Sequence, residues 1–322
     1  MHGKNMDTVH IPVLLHEVLE ALGARSKKQE AGSKKAPAIP PSSQVNSPVF
    51  LDGTLGGAGH ALAIAKAYKG NLTVVGLDRD PQAITRAEKT LKGKAENVIL
   101  ENLDYRKLDE ALDKNEIDQV DLILLDLGIS SDELDNSGRG FSFQRDEPLL
   151  MTMGDPATYP FTAKDIVNNW AEEDIANVIF AYGEEKFARR IARTLVNYRV
   201  KAPINTSGEL AEIIKTSVPA FYRRGKLHPA TKTFQGLRIA VNDELGALRE
   251  GLEKGYARLA PGGRMAVIAF HSLEDRIVKD FYKKQALMGA KVITKRPIIA
   301  TDQEKAENPR SRSAKLRVIE KI

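Results

Sequence analysis

The sequence predicts an α/β fold, a Rossmann-like and mostly parallel sheet with an edge antiparallel hairpin and an inserted all-helical subdomain. Three observations predict it. A glycine-rich turn joins an apolar strand to a helix across residues 48–67. A second apolar strand ends in an acid, Asp78, about 20 residues beyond that turn. Past the fourth strand, helical periodicity replaces the strand pattern over residues 172–217, and strands resume at Arg264.

Taken in order, His10 to Leu22 reads as a short helix with Pro12 in its first turn. Residues 25–47 are rich in Lys, Ser, Pro and Ala, and read as a flexible, solvated surface loop. Pro48-Val-Phe-Leu51 is a short buried strand closed by Asp52. Gly53, Gly56, Gly57 and Gly59 then allow a tight turn and close approach to a ligand. Ala61 to Ala67 is strongly helix-forming. Asn71 to Asp78 is the second strand, and an acid at its tip can accept both hydroxyls of a ribose. Asp80 as N-cap and Pro81 at the first position open the next helix. NAD and S-adenosylmethionine both satisfy this pattern. The turn is not a strict G-x-G-x-x-G and no G-K-[ST] follows, which favours a ligand without a pyrophosphate, S-adenosylmethionine.

Asn97-Val-Ile-Leu100 is the third strand. Tyr105 beyond it can stack on an adenine or pack at the rim. Val120 to Leu127 is the most apolar strand, with Asp126 near the carboxyl end that faces the ligand crevice of such sheets. A carboxylate inside an apolar strand is costly unless it is used or paired. Gly128-Ile-Ser-Ser131 turns at the same rim. Arg139 to Asp146 sets aromatics between arginines, equally a platform for unpaired nucleic acid or a packed loop. Helices follow at 172–182 and 184–199, and Thr206-Ser-Gly-Glu209 is a capping box opening a third. Arg189, Arg190 and Arg193 grip phosphates or form a solvated face. Arg223 to Gln235 reads as a basic loop facing a partner. One long helix carries Leu237, Val241, Leu245, Leu248, Leu252 and Leu259 and ends at Pro261-Gly-Gly263. Arg264 to Phe270 is the fifth strand, with His271 to Arg276 at its carboxyl end. Val292–Thr294 and Leu316–Ile319 form the edge hairpin, separated by a basic loop at 308–315. The expected division is 1–135 and 236–322 for the sheet domain, with 136–235 as the helical substrate-recognition insertion.

The 322 residues are 42% hydrophobic, enough to bury a full core. A net charge of +5 leans towards a polyanionic partner. The absence of cysteine excludes disulfides, cysteine-rich metal sites and a thiolate attacking a pyrimidine ring carbon. The six histidines lack metal-ligand spacing, so no metal is expected. No apolar run reaches membrane-spanning length and no signal-peptide core is present, so the expectation is a cytoplasmic protein with no membrane partner.

Eight motifs together resemble the MraW (RsmH) family of ribosomal small-subunit RNA cytosine-N4 methyltransferases. They are His10-Ile-Pro-Val-Leu-Leu15, Asp52-Gly-Thr-Leu-Gly-Gly-Ala-Gly-His60, Leu77-Asp-Arg-Asp-Pro81 and Leu125-Asp-Leu-Gly-Ile-Ser-Ser131, then Arg139-Gly-Phe-Ser-Phe143, His228-Pro-Ala-Thr-Lys-Thr-Phe-Gln235, Phe270-His-Ser-Leu-Glu-Asp-Arg276 and Arg312-Ser-Ala-Lys-Leu-Arg317. The resemblance implies a class I S-adenosylmethionine-dependent methyltransferase that modifies one cytidine in the decoding centre of 16S rRNA within the small ribosomal subunit. It implies cofactor contacts from Gly57, Ala58, Gly59, His60, Asp78, Tyr105, Asp126 and Glu133. The family usually carries Phe at position 105 and Gln at 133. It also reads Asp-Gly-Pro-Leu-Asp-Met-Arg-Met where this chain has Asp146-Glu-Pro-Leu-Leu-Met-Thr-Met153, so Leu150 and Thr152 replace an acid and an arginine.

Cytosine N4 is a weak nucleophile and needs an acceptor for its N–H. Asp126, or a backbone carbonyl of Leu127 to Ser130, is the expected acceptor, with His271 or Asp275 nearby. Phe141 and Phe143 are the expected stacking surface for a splayed cytidine, with Arg139, His228, Lys232 and Arg276 as further RNA contacts. Two other classes stay open: a non-catalytic, cofactor-binding ribosome-assembly factor, motivated by Leu150 and Thr152, and a nicotinamide-dependent oxidoreductase. A homodimer is a further open partner.

Overall fold

The structure, a computed structural model, describes residues 12–23, 47–129, 134 and 137–322. His10, Ile11, residues 25–46 of the expected loop, Ser130, Ser131 and Glu133 lie outside the described residues. The chain forms two compact units. One holds the described residues up to Gly128 together with Gly246–Ile322, and the other is Ile129–Leu245.

The first unit is an eight-stranded sheet. Its strands are β1 (Val49–Asp52), β2 (Thr73–Leu77), β3 (Asn97–Glu101), β4 (Val120–Asp126), β5 (Leu259–Ala269), β6 (Lys291–Val292), β7 (Ile298–Ile299) and β8 (Lys315–Glu320). They run in the order β3-β2-β1-β4-β5-β8-β6, with β7 also paired to β8. The β1–β5 pairs are parallel, and β8 is antiparallel to β5, β6 and β7. This is the mostly parallel, Rossmann-like sheet with an antiparallel edge that the sequence predicts, and the chain reverses its order between β1 and β4. Parallel strands are covered on both faces, so they read as continuous apolar runs rather than alternating ones. In β4, Leu122 and Leu124 enter one core with Leu14, Val18 and Ile64, while Ile123 and Leu125 enter the other with Leu108 and Leu252. Asp121 at the start of β4 is buried, and its Oδ2 accepts from the Val49 amide at 2.8 Å.

Four expectations about the elements are corrected. The first helix spans Leu15–Ala21 and excludes Pro12 to Leu14, because Leu14 turns left-handed at its N-cap (φ 52°). The long helix is two, Thr231–Asn242 and Glu244–Arg258. Asp243 breaks it at φ 46°, a conformation Asp tolerates, so the apolar period continues across a break it does not reveal. Leu259 and Pro261-Gly-Gly263 belong to β5, where the pairing with β4 jumps from Leu259 opposite Val120 to Arg264 opposite Leu122. The expected basic loop also includes the first turn of the Thr231–Asn242 helix.

The second unit is helical: Ala163–Asn169, Glu172–Ala181, Ala188–Arg199, Ser207–Ser217, Ala220–Arg223 and Thr231–Asn242. Its core includes Ile166, Ile179, Ile191, Leu195, Ile214 and Leu237. The capping box at Thr206 and Glu209 is present. Gly183 follows the Glu172–Ala181 helix where a Cβ would stand 2.3 Å from the Lys232 carbonyl oxygen and 2.6 Å from that of Ile179. Gly183→Val should therefore cost about 3 kcal/mol by overpacking against backbone. A urea midpoint matching wild type would show that this approach is not enforced.

Candidate functional site

The carboxyl ends of β1, β2 and β4 and the turn after β5 place acids at one rim of the sheet. The glycine turn leaves β1 as the Gly53 amide donates to the Leu124 carbonyl and the Leu55 amide to that of Leu77. Gly56 adopts φ 50°, and Ala58 is a left-handed N-cap at φ 60° with no side-chain cap for the helix Gly59–Ala67. Gly59 lies so close to Pro12 that a Cβ would meet its Cγ at 2.5 Å, whereas the space over Gly56 and Gly57 is open. Asp78 ties the turn to the tip of β2: its Oδ2 accepts from the Gly56 amide and its Oδ1 from the Asp80 amide, both at 2.8 Å. Burial raises its pKa against those two bonds. Each oxygen keeps a second lone pair for a hydroxyl donor.

Asp126 ends β4, and its backbone amide donates to Thr54 Oγ1 at 2.6 Å. Its Oδ1 is buried with no hydrogen-bond partner among the described residues. Its Oδ2 is 3.7 Å from His60 Nδ1, and His60 Nε2 is 2.9 Å from the Val13 carbonyl. A carbonyl only accepts, so Nε2 carries the proton, and in the neutral ring Nδ1 offers a lone pair to Asp126. Burial drives the Asp126 pKa well up, and the charges of Asp52 and Glu274 push it further. Asp52 is 2% exposed, and its pKa is raised to about 7, chiefly by burial. The Thr54 amide, donating to Oδ1 at 3.1 Å, only partly relieves it. Glu274 is also buried, its Oε2 accepting from the amides of Phe270 and His271 at 2.8 and 3.2 Å. A rim with two buried carboxylates, Asp52 and Glu274, and a half-buried one, Asp126, whose Oδ1 has no hydrogen-bond partner among the described residues, suits a cationic ligand. Together with the open space over the glycines, this fits the positively charged adenosine derivative expected from the sequence.

Sequence reading placed Asp78, His60 and Asp126 at this rim but missed Asp52, Thr54 and Glu274 as members of it. His271 caps the helix Ser272–Leu287, its Nδ1 accepting from the Glu274 amide at 3.4 Å and its Nε2 lying 3.2 Å from Glu274 Oε1. Tyr105 is half-buried, with its ring against Gly251, where a Cβ would meet Cδ2 at 2.5 Å. Asp275 is not placed as a proton acceptor. Its Oδ1 takes the Arg317 Nε at 2.6 Å and its Oδ2 the Lys315 ammonium at 3.3 Å. Burial alone would raise its pKa, but these cations hold it below the usual carboxylate value. Arg276 is exposed on the same helix.

The remaining expected RNA residues lie in the helical unit. Phe141 is corrected: at 6% exposure it is a core residue with the Arg139 guanidinium 5.9 Å from its ring centroid, and it cannot offer a face to a base. Arg139 donates to the Gly154 carbonyl at 3.1 Å. Phe143 is half-buried, stacked on exposed His228 with centroids 4.4 Å apart and edge-on to Phe234. Lys232 donates to the Glu184 carbonyl at 2.8 Å. Thr152 is fully buried with its Oγ1 unpartnered among the described residues, and Leu150 is half-buried. No helix among the described residues is long and apolar enough to cross a membrane.

Comparison with known proteins places these residues in context. The model of the MraW methylase family matches residues 7–322. A "Ribosomal RNA small subunit methyltransferase H" from Deinococcus radiodurans is 48% identical over 316 residues, covering 97% of this chain and 89% of the relative. Its namesake from Deinococcus deserti is 46% identical, covering 98% and 94%. That from Heliobacterium modesticaldum is 42% identical, covering 97% and 98%.

Proposed function

The chain belongs to the MraW methylase family, and on that premise we propose that it methylates small-subunit ribosomal RNA, at the N4 amine of one cytidine in the decoding centre. The observation that carries the chemistry is the buried Oδ1 of Asp126 at the carboxyl end of β4, which has no hydrogen-bond partner among the described residues. The turn residues Gly56 to Gly59, with His60 and Asp78, would hold S-adenosylmethionine, and Tyr105 would border its adenine. When bound, it supplies an electrophilic methyl group on a sulfonium.

Asp126 accepts an N–H of the exocyclic amine, orients the nitrogen lone pair and takes the proton as positive charge develops there. Burial and the neighbouring charges of Asp52 and Glu274 raise its pKa, which makes its carboxylate a stronger base than a surface Asp. His60, fixed by Val13, stands with its Nδ1 3.7 Å from Asp126 Oδ2. Thr54 fixes the backbone at the same residue. Phe143, stacked on His228, is the aromatic in the Arg139–Phe143 motif with a partly open ring.

Methyl transfer from labelled S-adenosylmethionine to small subunits lacking the modification, followed by nucleoside analysis, tests this reading. The expected product is N4-methylcytidine at one site. Absence of transfer by protein shown to bind the cofactor would favour the binding-only assembly factor. Phe143→Ala should raise the KM for small subunits about tenfold without changing cofactor affinity. Phe141→Ala should instead lower the stability of the helical unit by about 3 kcal/mol. Equal KM values for Phe143→Ala and wild type would remove that ring from the RNA site.

A further inference from the structure

The helical unit carries an aromatic and basic patch that the proposed chemistry does not use. Lys186, exposed just before the Ala188–Arg199 helix, sets its ammonium 5.2, 5.8 and 5.1 Å from the ring centroids of Phe187, Phe221 and Tyr222. The rings meet edge to face, with Phe187 4.9 Å from Tyr222 and 6.3 Å from Phe221. A buried carboxylate anchors them. Glu185 is 0% exposed, its Oε2 accepts from the Tyr222 hydroxyl at 2.5 Å, and its Oε1 accepts from the Phe187 amide at 2.9 Å. Phe221 is nevertheless 68% exposed and Leu227 is 62% exposed. A large ring held rigidly in water is unfavourable for the isolated protein and suits a partner that covers it.

The charge around the rings identifies that partner. Arg189, Arg190, Arg223, Arg224 and Lys226 are all exposed, and none pairs with an acid among the described residues. Arg193, one turn further along, is by contrast paired with Glu172. Residues 219–228 contain no acid, and in 182–193 the acids are the buried Glu185 and the exposed Glu184. Six cations, counting Lys186, thus lie on the two segments that carry the aromatic face. Bases stack on such a face regardless of sequence, while the cations follow the backbone. We propose that this patch binds an unpaired segment of the substrate RNA, with Phe221 stacking on a base and Arg223, Arg224 and Lys226 on neighbouring phosphates. The assignment rests on the reading of ribosomal RNA as substrate.

Two readouts test it separately from that reading. The first is the fluorescence anisotropy of full-length protein with a labelled single-stranded RNA across a salt series. Phe221→Ala should weaken binding about tenfold at fixed salt. Arg223→Ala with Arg224→Ala should lower the slope of log affinity against log salt by about 1.4, at about 0.7 per phosphate contact on a single strand. The second is methyl transfer to unmodified small subunits, where both variants should raise KM and leave kcat and S-adenosylmethionine affinity unchanged. Unchanged RNA affinity and salt slope would overturn the proposal even if wild type methylates the subunit. A KM effect on subunits without any effect on free RNA would assign the patch to a protein and overturn it equally. If wild type transfers no methyl group to RNA, the anisotropy series still decides whether the patch holds RNA.

Discussion

Asp126→Asn is expected to lower kcat for methyl transfer by about a hundred- to ten-thousand-fold, the usual contribution of a positioned general base. The dissociation constant of S-adenosylmethionine should move less than tenfold. The substitution keeps the side chain's shape and leaves the backbone bond to Thr54 Oγ1 intact. It also lets an amide N–H face the His60 Nδ1 lone pair that now stands 3.7 Å from Oδ2. What it removes is the charge, and with it the ability to take a proton. Loss of stability cannot imitate the result, because an ionised Asp126 is held against its pKa by burial and by Asp52 and Glu274. The variant should be as stable as wild type at pH 8, or more so, in a thermal melt. If kcat is retained and the cofactor affinity collapses, Asp126 serves the cofactor alone and the acceptor must be sought in the backbone beyond Leu127.

How much of this site was legible depended on where each residue's partners sit. Asp78 and Asp126 end apolar strands, and an acid there is visible in sequence because it breaks a run that would otherwise be wholly buried. Asp52 ends a strand in the same way, but its neighbours disguise it as the opening of a turn. Only β1, inserted between β2 and β4, shows it to be buried. Glu274 reads as the N3 acid of a capping box, and it does fill that role. The strand before it is legible, but its burial beside the rim is not, because that depends on the pairing of β5 with β4. Asp275 shows the converse. Its cations, Arg317 and Lys315, arrive 42 and 40 residues later on a strand antiparallel to β5. Phe141 and Phe143 are two apart in an irregular segment, and the choice of which ring enters the core is made by helices far along the chain.

The buried acids should also make cofactor binding proton-linked. Asp52 titrates at about 7 in the folded protein, against an ordinary value of 3.8, and Asp126 is shifted in the same direction. The folded chain therefore holds more protons than the unfolded chain between these values. The stability that goes with the protonated acids is complete below about pH 4 and is lost as pH rises through 7. A cation seated against Asp52 and Asp126 favours their ionised forms, lowers both pKa values and releases protons. S-adenosylmethionine should accordingly bind more tightly at pH 8 than at pH 6, by up to about tenfold for each pKa unit the ligand removes. The gain should flatten above pH 8, where Asp52 is already ionised. S-adenosylhomocysteine, whose sulfur is uncharged, should show a shallower dependence. Isothermal titration at both pH values, in buffers of different ionisation enthalpy, counts the protons directly. Asp52→Asn keeps an acceptor for the Thr54 amide and should flatten the curve. Equal affinity at pH 6 and pH 8 with no proton release from wild type would mean that the carboxylates stay protonated beside the ligand, and that the rim recognises it by shape and hydrogen bonds instead of charge.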